Sequence, residues 1–147
     1  STLHTNDAAG SVTRLLDMGI EPYLLSSTVL AFVAQRLVRV ICPDCKVIDT
    51  EPVVVDTSRG EQVPPTAYKG KGCDACRGSG YRGRIGIYEI LVINELVRDL
   101  IMQKAPAEAI KQKLLEAGWK SMRQDGWQKV AMGITTPEEV LRVTMED

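Results

Sequence analysis

Apolar residues recur three or four positions apart near the start of the chain, which is the spacing of an amphipathic helix. This pattern predicts a first helix over 7–18. Asn6 or Asp7 has a side chain that can cap its first turn, and Gly19 follows its last turn as a typical helix end.

The next stretch is apolar on almost every side. Pro22, a residue type favoured in the first helical turn, opens a second predicted helix that extends to Leu37. Because apolar residues cover most of its circumference, we expect this helix to be buried. The sequence Val-Arg-Val-Ile at 38–41 then predicts a short strand.

The last third of the chain returns to a helical period. Asn94 is a predicted N-cap, and Ser121 with Gln124 and Thr136 with Glu139 have the capping-box pattern. The predicted helices cover 95–103, 106–117, 122–132 and 137–145.

The middle of the chain lacks this period and is rich in Pro and Gly. A brief strand is predicted at 53–55, and a Gly-rich turn over 78–86 leads into an extended stretch that ends at Ile90. The predicted fold class is therefore mainly α with a small β insert.

Composition limits the possible functions of these 147 residues. The 18 basic and 19 acidic residues give a net charge of −1, and aromatic residues make up 5%. This composition disfavours a protein that binds along nucleic acid or a membrane surface. No apolar run reaches the roughly 20 residues of a membrane span, and the polar start does not resemble a signal peptide. Because the first residue is not Met, we expect the chain to begin inside a longer protein.

Four cysteines form two C-x2-C pairs, Cys42 with Cys45 and Cys73 with Cys76. Each pair occupies a tight turn that directs two sulfurs to one point, and four thiolates complete the tetrahedral coordination of Zn²⁺. Since four thiolates leave no position for water or substrate, we predict a structural zinc site.

Other uses of the cysteines remain open at this point. A disulfide-stabilised secreted scaffold fits poorly with long helices that need no cross-links, and a dithiol redox centre needs only one pair. A stand-alone zinc-ribbon module that binds a protein is a further alternative. Gly78 and Gly80 favour it, because C-x-x-C-x-G-x-G resembles the zinc repeat of the J-type co-chaperones.

Six segments in a fixed order carry a resemblance over essentially the whole chain. They are STLHTN at 1–6, VTRLLDMGIEP at 12–22, AQRLVR at 34–39, CPDC at 42–45, GYRGRIGIYEIL at 80–91, and GITT with EEV at 133–140. Together they resemble the secretion traffic ATPases, whose histidine box is similar to the first segment. The type II secretion motors match better than the pilus-assembly ATPases, which are the alternative.

The resemblance implies a RecA-like P-loop ATPase that forms a homo-hexamer. It also implies a position in the bacterial cytoplasm, peripheral to the inner membrane, with secretion platform proteins of that membrane as partners and no nucleic acid. ATP and Mg²⁺ are the implied cofactors of the full-length protein, in addition to the structural Zn²⁺.

The chain itself contains no G-x-x-x-x-G-K-[ST] phosphate loop and no acidic Mg²⁺-binding strand. We therefore expect the C-terminal part of such a motor, inactive alone. The expected segments are the end of the ATPase core with the histidine box at 1–41, a tetracysteine subdomain at 42–91, and a helical subdomain at 92–147.

The resemblance also implies residues close to the nucleotide. His4, the only histidine, is a candidate for catalysis and nucleotide binding beside the γ-phosphate, with Thr2 and Thr5 as weaker candidates. Arg14 and Arg84 are candidate catalytic residues that stabilise charge on the phosphoryl group, and Arg84 is also a nucleotide-binding candidate. An ordinary surface histidine and solvated or locally paired arginines are the alternatives.

A basic patch is predicted around the second cysteine pair, where one acid, Asp74, faces five cations. Such a patch balances the −2 charge of a metal tetrathiolate, or docks an acidic partner or an anionic lipid. The near-neutral chain disfavours nucleic acid. The cations are Lys69, Lys71, Arg77, Arg82 and Arg84.

Overall fold

The first helix begins where a side chain satisfies its free amides. The computed structural model describes residues 1–55, 57 and 61–145. Helix α1 spans Ala8–Asp17, and Asp7 caps it by accepting a hydrogen bond from Gly10 N at 2.6 Å. Gly19, just beyond its end, has a positive φ of 89°, which confirms the predicted stop.

The prediction of a second helix from Pro22 to Leu37 is correct for the first two turns and wrong for the rest. Helix α2 spans Pro22–Thr28, and the chain then forms strand β1 over Ala31–Ile41. Phe32 is buried on one face of β1, whereas Val33 and Leu37 are exposed on the other. A strand with apolar residues on both faces lacks the alternation of apolar and polar residues that marks a half-buried strand. Its sequence therefore resembles that of a buried helix.

The strands pair as two separate two-stranded sheets. Strand β1 is hydrogen-bonded to a long strand, β4 (Tyr81–Val92). The short strands β2 (Lys46–Ile48) and β3 (Tyr68–Gly70) pair antiparallel, with Val47 opposite Lys69. The predicted strand at 53–55 is wrong, since these residues have no regular secondary structure. A 3₁₀ helix covers Asp74–Cys76.

Four helices follow β4, as the sequence predicts. Asn94 Oδ1 accepts a hydrogen bond from Val97 N at 3.0 Å, and Thr136 Oγ1 accepts one from Glu139 N at 3.3 Å, which confirms two predicted N-caps. The capping role of Ser121 stays a prediction. The helices are α3 (Glu95–Met102), α4 (Ala107–Glu116), α5 (Met122–Ala131) and α6 (Pro137–Thr144).

The chain divides into two compact units, each built from two separate segments. Unit 1 contains Ser1–Ala34 and Glu89–Ser121, and unit 2 contains Gln35–Tyr88 and Met122–Asp147. These boundaries describe packing, and the three functional segments expected from the sequence stay a prediction. None of the helices in the described ranges is long and apolar enough to cross a membrane.

Each unit has its own apolar core. In unit 1, α1, α2, α3 and α4 pack their apolar faces together with the ends of β1 and β4. In unit 2, α5 and α6 pack against Ala67 in the segment before β3. The core of unit 1 includes Val12, Leu25, Leu91, Ile101 and Ile110, and that of unit 2 includes Trp127, Val130 and Val140.

Candidate functional site

The four cysteine sulfurs meet at one point in unit 2. The Sγ atoms of Cys42 and Cys73 are 3.8 Å apart, and those of Cys45 and Cys76 are 3.9 Å apart. All four sulfurs lie within 4.8 Å of one another. Zinc–sulfur bonds of about 2.3 Å in a tetrahedron place the sulfurs about 3.8 Å apart, so this arrangement fits a tetrathiolate zinc site.

The same distances oppose the disulfide alternative. Sulfurs in a disulfide lie about 2.05 Å apart, whereas the Sγ atoms of Cys73 and Cys76 are 3.7 Å apart. All four cysteines are free. The donor set and spacing therefore favour a structural metal over a cross-linked scaffold.

Close backbone contacts hold the cysteine turns together. Cys42 N donates a hydrogen bond to Gly80 O at 2.9 Å, and Lys71 N donates one to Cys45 O at 3.1 Å. Gly80 has a positive φ of 78°, and a Cβ atom there would lie 2.6 Å from the carbonyl oxygen of Gly70. Only glycine fits this approach, which explains part of the Gly-rich sequence after the second pair.

Replacing Gly80 with alanine is expected to destabilise the cysteine site more than replacing Gly78. Both glycines have positive φ, but a Cβ at Gly78 would meet open space. Gly78→Ala should cost about 1 kcal/mol from backbone strain, and Gly80→Ala should cost about 2–4 kcal/mol because the backbones must also separate. Urea unfolding at fixed zinc concentration measures both, and equal losses would contradict the close-approach explanation.

Backbone N–H groups point at two of the sulfurs. Cys76 Sγ accepts hydrogen bonds from Cys73 N and Gly80 N, both at 3.2 Å, and Cys45 Sγ accepts one from Gly72 N at 3.3 Å. Burial opposes ionisation of Cys76, but its hydrogen bonds outweigh burial and lower the pKa of this thiol to about 6. Burial raises the pKa of the Cys45 thiol to about 11. A cation favours the thiolate form of every ligand, so metal binding is expected to release protons.

Local ion pairs neutralise part of the predicted basic patch. Lys69 Nζ lies 3.1 Å from Asp49 Oδ1, and the Asp49 side chain is only 6% exposed. Arg82 pairs with Asp44 at 3.6 Å between two exposed side chains. Two of the five cations are thus paired with carboxylates within unit 2. The roles considered for the patch, balancing the charge of a tetrathiolate or docking a partner, stay predictions.

His4 lies in unit 1, in an irregular segment that enters α1. Leu3 packs against the core of unit 1, and Thr5 Oγ1 lies 2.6 Å from Ser11 Oγ. His4 is exposed between these two half-buried positions, and Thr2 is exposed just before Leu3. The segment is therefore tied down by alternate side chains while His4 faces solvent.

The two candidate arginines lie in different units. Arg14 is an exposed residue of α1, so unit 1 carries it together with His4. Arg84 is exposed on β4 within unit 2 and follows Gly83, whose φ is 82°. All three side chains are accessible to a ligand, and their catalytic and nucleotide-binding roles stay predictions.

Unit 2 contains an ion cluster that the sequence patterns do not predict, since they indicate Glu139 only as part of a capping box. Its side chain is 2% exposed, and Arg39 and Arg142 both bind it at 2.8 Å. The Arg39 guanidinium also lies 4.1 Å from the ring centroid of Tyr81. The spacing of Glu139 and Arg142 along one helix face is a sequence signal for half of this cluster.

Known proteins are similar to this chain in fold or in sequence. The X-ray structure of the Legionella pneumophila ATPase DotB superposes with a TM-score of 0.59, covering 97% of this chain and 30% of that chain. At 18% identity this likeness shows the fold alone. The family model described as Type II/IV secretion system protein matches residues 1–142, and the chain belongs to this family.

Individual relatives are much longer than this chain. Type II secretion system protein E of Pseudomonas aeruginosa is 48% identical over all of this chain and 30% of its own length. Type II secretion system ATPase E of Vibrio cholerae is 47% identical over 99% of this chain and 29% of its own length. Type IV pilus assembly ATPase PilB of Thermus thermophilus is 43% identical over 99% of this chain and 17% of its own length. The chain thus spans about 30% of the type II relatives that it matches.

Proposed function

We propose that this chain is the C-terminal part of the cytoplasmic ATPase that powers type II protein secretion. The observation that carries the proposal is 48% identity over the whole chain to a protein named for type II secretion. Pilus assembly is the second candidate, supported by identities of 43% and 40% to two type IV pilus assembly ATPases. In the complete protein we expect a homo-hexamer that is peripheral to the inner membrane, contacts platform proteins there and drives assembly of a pseudopilus.

The proposed division of labour follows from the residues that the chain contains. Because the sequence has no phosphate loop, other parts of the complete protein must supply most of the binding of ATP and Mg²⁺. Bound Mg²⁺-ATP supplies the phosphoryl group and the metal that offsets its charge. From this chain, the His4 imidazole donates a hydrogen bond toward the γ-phosphate, and the Arg14 and Arg84 guanidinium groups offset developing negative charge. The cysteine site holds zinc for a structural purpose.

ATP turnover measured on two proteins tests this proposal. The 147-residue chain alone should show no hydrolysis above background, and the complete protein should hydrolyse ATP in the presence of Mg²⁺. Complementation of strains that lack either the type II secretion ATPase or the pilus-assembly ATPase separates the two candidate functions. Robust hydrolysis by the pure chain, or restored piliation without restored secretion, would refute the type II assignment as stated.

Replacing His4 with alanine in the complete protein is expected to lower kcat about 100-fold, a typical loss for one group that stabilises a transition state. ATP affinity should change less than about threefold, because other residues supply most of the binding. His4→Gln is the matched control, since it keeps a side-chain N–H donor and should retain more activity. Steady-state kinetics with a nucleotide-binding assay measures both values, and equal loss of binding and turnover would indicate a structural role.

A further inference from the structure

Strand β4 carries one carboxylate among its buried side chains. Glu89 is 3% exposed, while Ile87 and Leu91, two positions away on either side, are fully buried apolar residues. A carboxylate in apolar surroundings is costly unless hydrogen bonds compensate for the lost water. Glu89 therefore depends on polar partners inside unit 1, and α1 supplies one of them.

The partner in α1 is the first amide of the helix. The Glu89 carboxylate accepts a hydrogen bond from the backbone N–H of Ala8, 81 positions earlier in the sequence. The first N–H groups of a helix have no acceptor within the helix, and the helix N-terminus carries partial positive charge. The Glu89 carboxylate accepts a hydrogen bond from one free N–H and places a negative charge at the positive end of the helix. Asp7 caps Gly10 N. Glu89 thus fixes the start of α1 to β4.

The segment that carries His4 enters α1 at this same point. His4 precedes Ala8 by only four residues, and Thr5 is tied to Ser11 in the first turns of the helix. Arg14 lies farther along α1 and is exposed. Any shift of the first turn of α1 would therefore displace the backbone at His4.

We infer that Glu89 is a positioning residue, which holds the first turn of α1 in place and thereby fixes where His4 meets an anionic phosphoryl group. The identity of that ligand rests on the proposed function. The anchoring of α1 and of the His4 segment does not, because it follows from contacts within unit 1. The two parts of the inference can therefore be tested separately.

The anchoring is tested by nuclear magnetic resonance on the untagged chain. Since the chain has one histidine, the imidazole Cε1–H signal reports His4 alone. Glu89→Met removes the acceptor at similar size, so hydrogen exchange of the Ala8 amide should rise about tenfold or more. The His4 signal should move toward its unfolded-chain value. Glu89→Gln keeps an oxygen acceptor without the charge, and exchange should rise only about threefold.

The control is Glu95→Gln, which removes an exposed carboxylate from the first turn of α3 and should leave both signals unchanged. Far-UV circular dichroism confirms that each variant is folded. Wild-type exchange at Ala8 and a wild-type His4 signal in folded Glu89→Met would overturn the inference. If Glu89→Met does not fold, Glu89→Gln decides, and wild-type values in that variant overturn the inference equally.

The complete ATPase tests the functional part. Glu89→Met should lower kcat about tenfold with a KM for ATP changed less than about threefold, and it should add little to the loss in His4→Ala. Fully additive losses would show that Glu89 acts independently of His4 and would overturn the positioning role. If the complete protein has no ATPase activity at all, the proposed function fails, while the resonance experiment still decides the anchoring.

Discussion

Replacing Cys42 with serine is expected to unfold the cysteine-bearing part of unit 2 and leave the helices of unit 1 folded. Cys42 is fully buried, and its sulfur is one of four at the spacing of a tetrathiolate zinc site. Zinc contributes about 10–16 kcal/mol of binding free energy to comparable sites, so loss of one ligand removes much of what holds these turns together. Removal of zinc by a chelator should have the same effect.

Metal analysis and hydrogen exchange by mass spectrometry measure this result. Wild-type protein should contain about one zinc per chain. Exchange in Cys42→Ser should increase across β2, β3 and the 3₁₀ helix, but not across α3 and α4. Ala75→Ser, an exposed change between the cysteines of the second pair, is the control and should keep its zinc. A full zinc complement in Cys42→Ser, or unfolding of unit 1 with it, would contradict the prediction.

Replacing Glu139 with glutamine is expected to cost about 3 kcal/mol at pH 7 and to change the response of the protein to acid. Burial disfavours the charged form of this carboxylate, but hydrogen bonds from Arg142 and Arg39 outweigh burial and lower the pKa of Glu139 from 4.5 to about 2. That difference corresponds to about 3 kcal/mol of linked folding free energy.

The direction of the pH effect follows from this lowered pKa. Above pH 4.5 the carboxylate is charged in both states and its full stabilisation is present. As the pH falls from 4.5 toward 2, the unfolded state takes up a proton first, so the stabilisation is lost progressively. Wild-type stability should therefore fall more steeply than that of Glu139→Gln in this range.

Denaturant unfolding between pH 2 and 7 checks the Glu139 prediction. Acid also releases zinc from thiolates, so the informative quantity is the difference between the variant and the wild type at each pH. Glu138→Gln changes the exposed neighbouring carboxylate and serves as the control. Parallel stability curves for wild type and Glu139→Gln would show that the cluster contributes nothing that depends on protonation.

Local signals in the sequence were sufficient for most helices. Asn94, Thr136 and Gly19 mark helix ends through bonds or backbone angles that involve neighbouring residues only. The strand predicted at 38–41 is confirmed as the end of β1, but the prediction of a helix over 31–37 is wrong. The exposed face of β1 also carries apolar residues, and pairing with β4 decides its structure. Such pairing joins residues far apart in sequence, which periodicity does not detect.

The same distinction separates the site residues. The two cysteine pairs were recognisable because their spacing is itself the geometry of metal-binding turns. Glu139 and Glu89 were not, since their importance comes from burial and from partners 100 and 81 positions away. A charged residue in a sequence gives no local indication that the fold will enclose it.

The strands β1 and β4 each contribute residues to both compact units, and a third connection lies between Ser121 and Met122. A deletion that ends the protein at Ser121 would therefore remove α5 and α6 from unit 2, but residues 35–88 of unit 2 would stay connected to unit 1. Excising either unit for separate binding experiments needs a cut in each strand, a break after Ser121 and a new linker to rejoin the pieces. Point substitutions are accordingly a safer way than truncation to assign activities to one unit.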